Sequence, residues 1–204
     1  MLIGLLSVAA IAWLVPAGVA EPSGGGLSGE LRVLGKLQVW LAMLVSALSS
    51  ASLFAMFTYI KPYLTEVSGL STSTVTWVLL LFGGGMTIGN IIGGRLADWK
   101  LMPTVIGTLL TLVLLFGCFI ALGTIPLAAV AIVFLWGLLV FIIVPPLQMR
   151  VVETAAEGPN LAATLNQGAF NAGNALGASV GGLALSWGLS YAQLPLVAAF
   201  ITLL

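Results

Sequence analysis

The charges in this chain are so sparse that six mostly apolar stretches, each about 20 residues long, can be drawn with one charge, Arg95 near the end of the third, inside them. A bilayer core about 30 Å thick is crossed by an α-helix of that length. The stretches cover residues 2–20, 38–60, 74–96, 103–122, 125–147 and 161–187. A seventh begins near Tyr191 and reaches Leu204 after 14 residues, which reads as a span cut short. Backbone polar groups in lipid must be bonded within their own element, so only helices or a closed barrel can cross. The runs are continuous and lack the two-residue alternation of barrel strands. The expected fold is an all-α membrane protein, a polytopic helical bundle.

Composition narrows the function. Charged residues make up 6% of the chain, against about 25% in soluble domains. Six Lys and Arg balance six Asp and Glu, so no basic field attracts nucleic acid. There is no histidine and one cysteine, Cys118, within an apolar run. That removes the commonest general base, the usual zinc ligands and any intrachain disulfide. Without paired carboxylates or a deep lysine in the membrane, an intramembrane enzyme lacks catalytic groups. No cofactor or metal site is expected, and the partners are the lipid bilayer and a small solute.

Residues 1–20 read as a transmembrane helix, 21–37 as a Gly- and Ser-rich linker, and 38–204 as a transmembrane domain whose last helix is incomplete. If successive loops alternate sides, Arg32, Lys36, Arg95, Lys100 and Arg150 share one face and Lys61 lies on the other, which puts the linker in the cytoplasm. Gly18-Val19-Ala20 before Glu21-Pro22 also resembles a signal-peptidase site. Cleavage there would invert the charge bias of every later helix, and no basic segment precedes the run, so the spanning helix is preferred. Tyr59, Tyr63, Trp77, Trp99, Trp187 and Tyr191 lie toward helix ends as an interfacial belt, whereas Trp40 and Trp136 lie deeper. Pro145-Pro146 is expected to break or kink its helix.

Two glycine stripes stand out. Gly85, Gly89 and Gly93 recur every four residues, as do Gly173, Gly177 and Gly181, and such a face lets a second helix backbone approach closely. Beside the second stripe, Gln167, Asn171 and Asn174 recur at helical spacing and define a polar face expected to turn from lipid. Two readings stay open: amides bonded to neighbouring helices as glue, or amides lining an aqueous substrate path. Asn90 and Gln148 are further candidates for that path.

The charged turn Gly94-Arg-Leu-Ala-Asp98-Trp-Lys100 resembles the signature between the second and third helices of each six-helix half in the major facilitator superfamily. Val144-Pro-Pro-Leu-Gln-Met-Arg150 and Asn160-Leu-Ala-Ala-Thr-Leu-Asn-Gln-Gly-Ala-Phe-Asn-Ala-Gly-Asn-Ala-Leu-Gly-Ala-Ser-Val-Gly-Gly182 are similar to the tenth and eleventh helices of its drug:proton antiporter branch, which includes the arabinose-efflux-type permeases. The resemblance implies the C-terminal half of a major facilitator fold in the cell membrane, helices six to eleven with the start of twelve. It implies Gly94, Arg95 and Asp98 as a conformational motif, and efflux of a drug or sugar with a proton as coupling ion. The missing N-terminal half or a second chain would be the partner, carrying the titrating group. A non-transporting assembly partner or transporter remnant is the alternative.

Overall fold

The computed structural model describes residues 2–14 and 30–204, and among these every element is a helix or a turn. Apart from helical turns of three to five residues, the described helices are α1 (Leu2–Leu14), α2 (Leu37–Phe57), α3 (Thr72–Leu122), α4 (Pro126–Thr154), α5 (Pro159–Ser186) and α6 (Leu194–Leu203). Three of them, α2, α3 and α4, are long and apolar enough to cross a membrane. The Gly18-Val19-Ala20 signal, the end of the first expected span and linker residues 21–29 lie outside the described residues.

The third and fourth expected spans form one helical run, α3, broken at a single residue. Ser71 opens it as an N-cap, its hydroxyl accepting from the Thr74 N–H at 3.2 Å. A straight helix of 51 residues would be about 77 Å long, far beyond a bilayer. Lys100 leaves helical geometry (φ −150°, ψ 84°), and Pro103 sits in the first turn of the second arm, where its missing N–H costs nothing. The chain reverses sharply there: the Thr104 hydroxyl reaches the Leu96 carbonyl at 3.2 Å, a separation of about 12 Å in a straight helix.

Helix α4 runs through Pro145 and Pro146 to Thr154, against the expectation of a break. Proline's fixed φ is itself helical, and membrane helices tolerate the lost hydrogen bonds where neighbours and local adjustment compensate. Pro146 is buried among those neighbours.

Glycine decides which helices meet. A Cβ added at Gly85, Gly89 or Gly93 would strike the carbonyl oxygens of Phe134, Leu138 and Ile142, so the first arm of α3 lies directly on α4. On the other side, Gly173, Gly177 and Gly181 press α5 against the carbonyls of Ala47, Ala51 and Ala55 in α2. The result is two tightly knit pairs, α3 with α4 and α2 with α5. Trp136, wholly buried, fills the centre, with Phe57, Phe82, Phe116 and Phe119 at ring-centroid distances of 5.3 to 6.1 Å. Trp40 instead lies half-exposed near the start of α2, its indole N–H bonded to the Leu34 carbonyl.

The turn from α2 to α3 is tied to the α3–α4 turn. From the π-helical turn Tyr63–Val67 the Tyr63 hydroxyl donates to the Phe119 carbonyl at 3.1 Å, and Ser68, which caps that turn, donates to the Gly123 carbonyl at 2.6 Å. Burial pushes the Tyr63 hydroxyl up to about 12, so it remains a donor at neutral pH. All describable side chains of α1 are exposed.

Gly89→Val or Gly177→Val should wedge a helix pair apart and cost about 1–3 kcal/mol. Gly94→Ala, which meets nothing within 4 Å, should cost little. Melting of the detergent-solubilised protein would show the contrast; equal midpoints for Gly89→Val and Gly94→Ala would refute the packing.

Candidate functional site

Between the two helix pairs lies a cavity of about 380 Å³ lined from α2, α4 and α5. Its lining mixes polar Ser49, Ser50, Gln148, Gln167 and Asn174 with the rings of Phe54, Phe141 and Phe170, Phe54 on the face of Ser50 and Phe170 on the face of Gln167 and Asn174. None of the twelve lining residues is charged. Its size falls within the range of small-molecule sites.

Two of the lining amides, Asn174 and Gln148, are held by hydrogen bonds. The Ser50 hydroxyl donates to Asn174 Oδ1, tying α2 to α5. Asn166 Nδ2 donates to Gln148 Oε1 at 2.6 Å, tying α5 to α4. Asn166 is completely buried and its Oδ1 has no partner. Ser49 Oγ, at the cavity wall, is likewise buried and unpartnered.

Three of the five amides singled out in the sequence, Gln148, Gln167 and Asn174, meet at this cavity. The other two do not. Asn171 is exposed outside it, because it lies about 100° round the helix from Phe170 and the lining face is narrower than the polar stripe. Asn90 borders a separate, more open pocket with Thr87 and Ile91, which adjoins the first through Phe141. Gly94, Arg95 and Asp98 precede the break in α3 at Lys100 and do not line the cavity. Arg95 and Asp98 are exposed and form no ion pair among the described residues.

Two groups escaped sequence reasoning. Asn166 occupies a buried stripe with Ala162, Gly173, Gly177, Gly181 and Ala184, and its seven-residue spacing to Gly173 was the available signal. Ser46, Ser49, Ser50 and Ser52 crowd one apolar span. Ser46 bonds back to the Ala42 carbonyl, and Ser52 donates to Ala198 at 2.8 Å, fastening α6.

At the linker end, residues 30–36 clasp the α4–α5 turn. Val33 is buried with Val151, Ala155 and Ala162. Glu30 Oε2 accepts the Leu161 N–H at 2.9 Å, supplying α5 with an N-terminal carboxylate from a distant segment. Lys36 pairs with Glu157 at 2.9 Å. The hydrogen bond from Lys36, then its charge, holds the Glu157 carboxyl below its ordinary value of 4.5.

The family model described as Major Facilitator Superfamily matches residues 1–182. The inner membrane transport protein YdhP of Escherichia coli (strain K12) is 38% identical over 201 residues, covering 98% of this chain and 51% of that protein. A chloramphenicol resistance protein of Streptomyces lividans is 34% identical over 168 residues, with coverage of 80% and 42%. A probable sugar efflux transporter of Haemophilus influenzae (strain PittGG) is 31% identical over 166 residues, with coverage of 79% and 41%. The chain spans about half the length of these relatives.

Because folding lowers the Glu157 value, the pair's contribution is full above about pH 4.5 and is lost as pH falls through the lowered value. Trp40, bonded to Leu34, reports on the clasp. Its ¹⁹F-tryptophan NMR signal should move on acidification from about pH 6 to about pH 3. Glu157→Gln should show the moved signal already at neutral pH; a Glu157→Gln spectrum identical to wild type at both pH values would dismiss the pair's role.

Proposed function

As this chain belongs to the major facilitator superfamily, we propose that it forms the C-terminal half of a transporter that exports a small molecule by alternating access. It is a multi-pass membrane protein of a transporter family. The finer reading places it in the cell membrane with the linker in the cytoplasm, following the distribution of Lys and Arg. The cavity between α2, α4 and α5 is this half's share of the substrate path.

The observation that carries the reading is the meeting of Gln148, Gln167 and Asn174 at one uncharged cavity. Amides are expensive in hydrocarbon, and although Gln148 and Asn174 each bond a neighbouring helix through oxygen, their N–H₂ groups and the whole Gln167 amide lack partners among the described residues, a need that a polar solute in the cavity would meet. Names among the relatives, a drug resistance protein and a sugar efflux transporter, support export of a drug or sugar. A proton is the proposed coupling ion. No lining residue carries a charge, so the titrating group belongs to the partner half. Gly94, Arg95 and Asp98 are the proposed contact through which that half senses the break in α3.

The test is aqueous thiol labelling of the whole transporter in membranes, with Cys118 first replaced by Ser. Gln167→Cys and Asn174→Cys should react far faster than Leu176→Cys, an exposed apolar position on the same helix. Labelling no faster than Leu176→Cys would reject the path and favour a non-transporting assembly partner.

A further inference from the structure

Asn166 does not behave as an ordinary packing residue. The stripe it occupies on α5 is otherwise Ala162, Gly173, Gly177, Gly181 and Ala184. A small apolar residue there would bury no orphan, whereas Asn166 leaves its Oδ1 buried without a partner. What it gains is one bond, from Nδ2 to Gln148 Oε1 at 2.6 Å.

That bond has a directional consequence. A primary amide carries acceptors only on oxygen and donors only on nitrogen. With its oxygen turned to Asn166, Gln148 keeps a free Nε2 at the cavity, and this nitrogen has no partner among the described residues. Ser50 acts on Asn174 in the same sense: its hydroxyl occupies Oδ1 and leaves Nδ2 unpartnered. Two independent bonds, from different helices, thus engage amide oxygens and leave two N–H₂ groups without protein partners, beside a Gln167 amide and a Ser49 hydroxyl that offer both donors and acceptors.

Resting on the substrate-path reading above, we infer that Asn166 and Ser50 are positioning residues that tilt the cavity's polar groups toward donors, favouring an uncharged solute whose polar groups are oxygen acceptors such as carbonyls or ethers. The rings of Phe54, Phe141 and Phe170, interleaved with these groups, take its apolar body. An anion would also seek donors, but no cation lines the cavity to offset its desolvation. A solute rich in donors would leave the Gln148 and Asn174 N–H groups unpaired. Discrimination through such unpaired groups is what hydrogen-bonding sites do best.

The experiment uses the full transporter in nanodiscs and two neutral arenes of similar size: N,N-dimethylbenzamide, which only accepts, and indole, which only donates. Binding is counted only where Ser49→Phe, which fills the cavity, abolishes it. Wild type should prefer the benzamide by about three- to tenfold, the worth of one hydrogen bond. Asn166→Leu and Ser50→Ala, checked for an unchanged melting temperature, should each bring the ratio toward one while still binding both arenes. Gln148→Glu, which replaces the free N–H₂ by oxygen, should tilt the ratio toward indole. That set of shifts is the signature of positioning, since a merely structural loss would weaken both arenes alike. Should Asn166→Leu fail to fold, Ser50→Ala and Gln148→Glu decide alone. Cavity-specific binding with no acceptor preference, or with a preference that no variant moves, overturns this inference and leaves the substrate path standing. The absence of any cavity-specific binding in wild type sinks the substrate path itself and this inference with it.

Discussion

Close approach of helix backbones at glycine is the interaction on which this structure depends. Lipid tails are as apolar as leucine, so burial of apolar surface does not drive membrane helices together as it does in water. Dispersion contacts do, and they fall off within a fraction of an ångström of separation. Six glycines, three in α3 and three in α5, remove the side chains that would hold two backbones apart. The cavity follows from this geometry, because each pair is knit along its own seam while the space between the pairs is left to side chains.

Those side chains are uncharged, and that choice has a physical logic. A charge facing the cavity would demand a partner or a permanent water shell in a low-dielectric surrounding. An amide or hydroxyl can be satisfied by a neighbour on one side and present its other valence to a solute. Asn174 and Gln148 do this, each with one polar end engaged and the other at the cavity. The charges lie elsewhere, at the clasp between residues 30–36 and the α4–α5 turn, at the break in α3 and in the α2–α3 turn, where water screens them.

Helical segments were the legible part of the sequence, because a run of apolar residues long enough to span lipid has few other fates. Expected boundaries at 38–60 and 161–187 lie close to α2 (Leu37–Phe57) and α5 (Pro159–Ser186). The connections were harder. A polar turn between spans 74–96 and 103–122 looked like a loop, yet one residue, Lys100, is enough to reverse the chain. Pro145-Pro146 looked like an end, yet local propensity yielded to packing around Pro146. At the site, helical periodicity found Gln167 and Asn174 but also gathered Asn171, since a polar stripe is read from residue type whereas a cavity wall is set by the neighbouring helices. Asn166 was hidden for the converse reason: a buried polar group is tolerated through a partner on another helix, here Gln148 on α4, and no arithmetic along α5 reveals that partner.

The two bonds that orient the amides are not equivalent. Ser50 to Asn174 lies within the α2–α5 pair, where the glycine seam holds both backbones at fixed separation. Asn166 to Gln148 crosses from α5 to α4 and so joins one pair to the other. Interiors packed at this density move as bodies rather than deforming smoothly, so a displacement of one pair against the other falls on the contacts between them. Asn174 would keep its orientation through such a displacement, while Gln148 would lose its anchor and be free to turn either end to the cavity. A solute that needs two donors would then meet both in one arrangement and only one in the other. That difference in affinity between arrangements is the quantity through which any ligand can bias a conformational equilibrium.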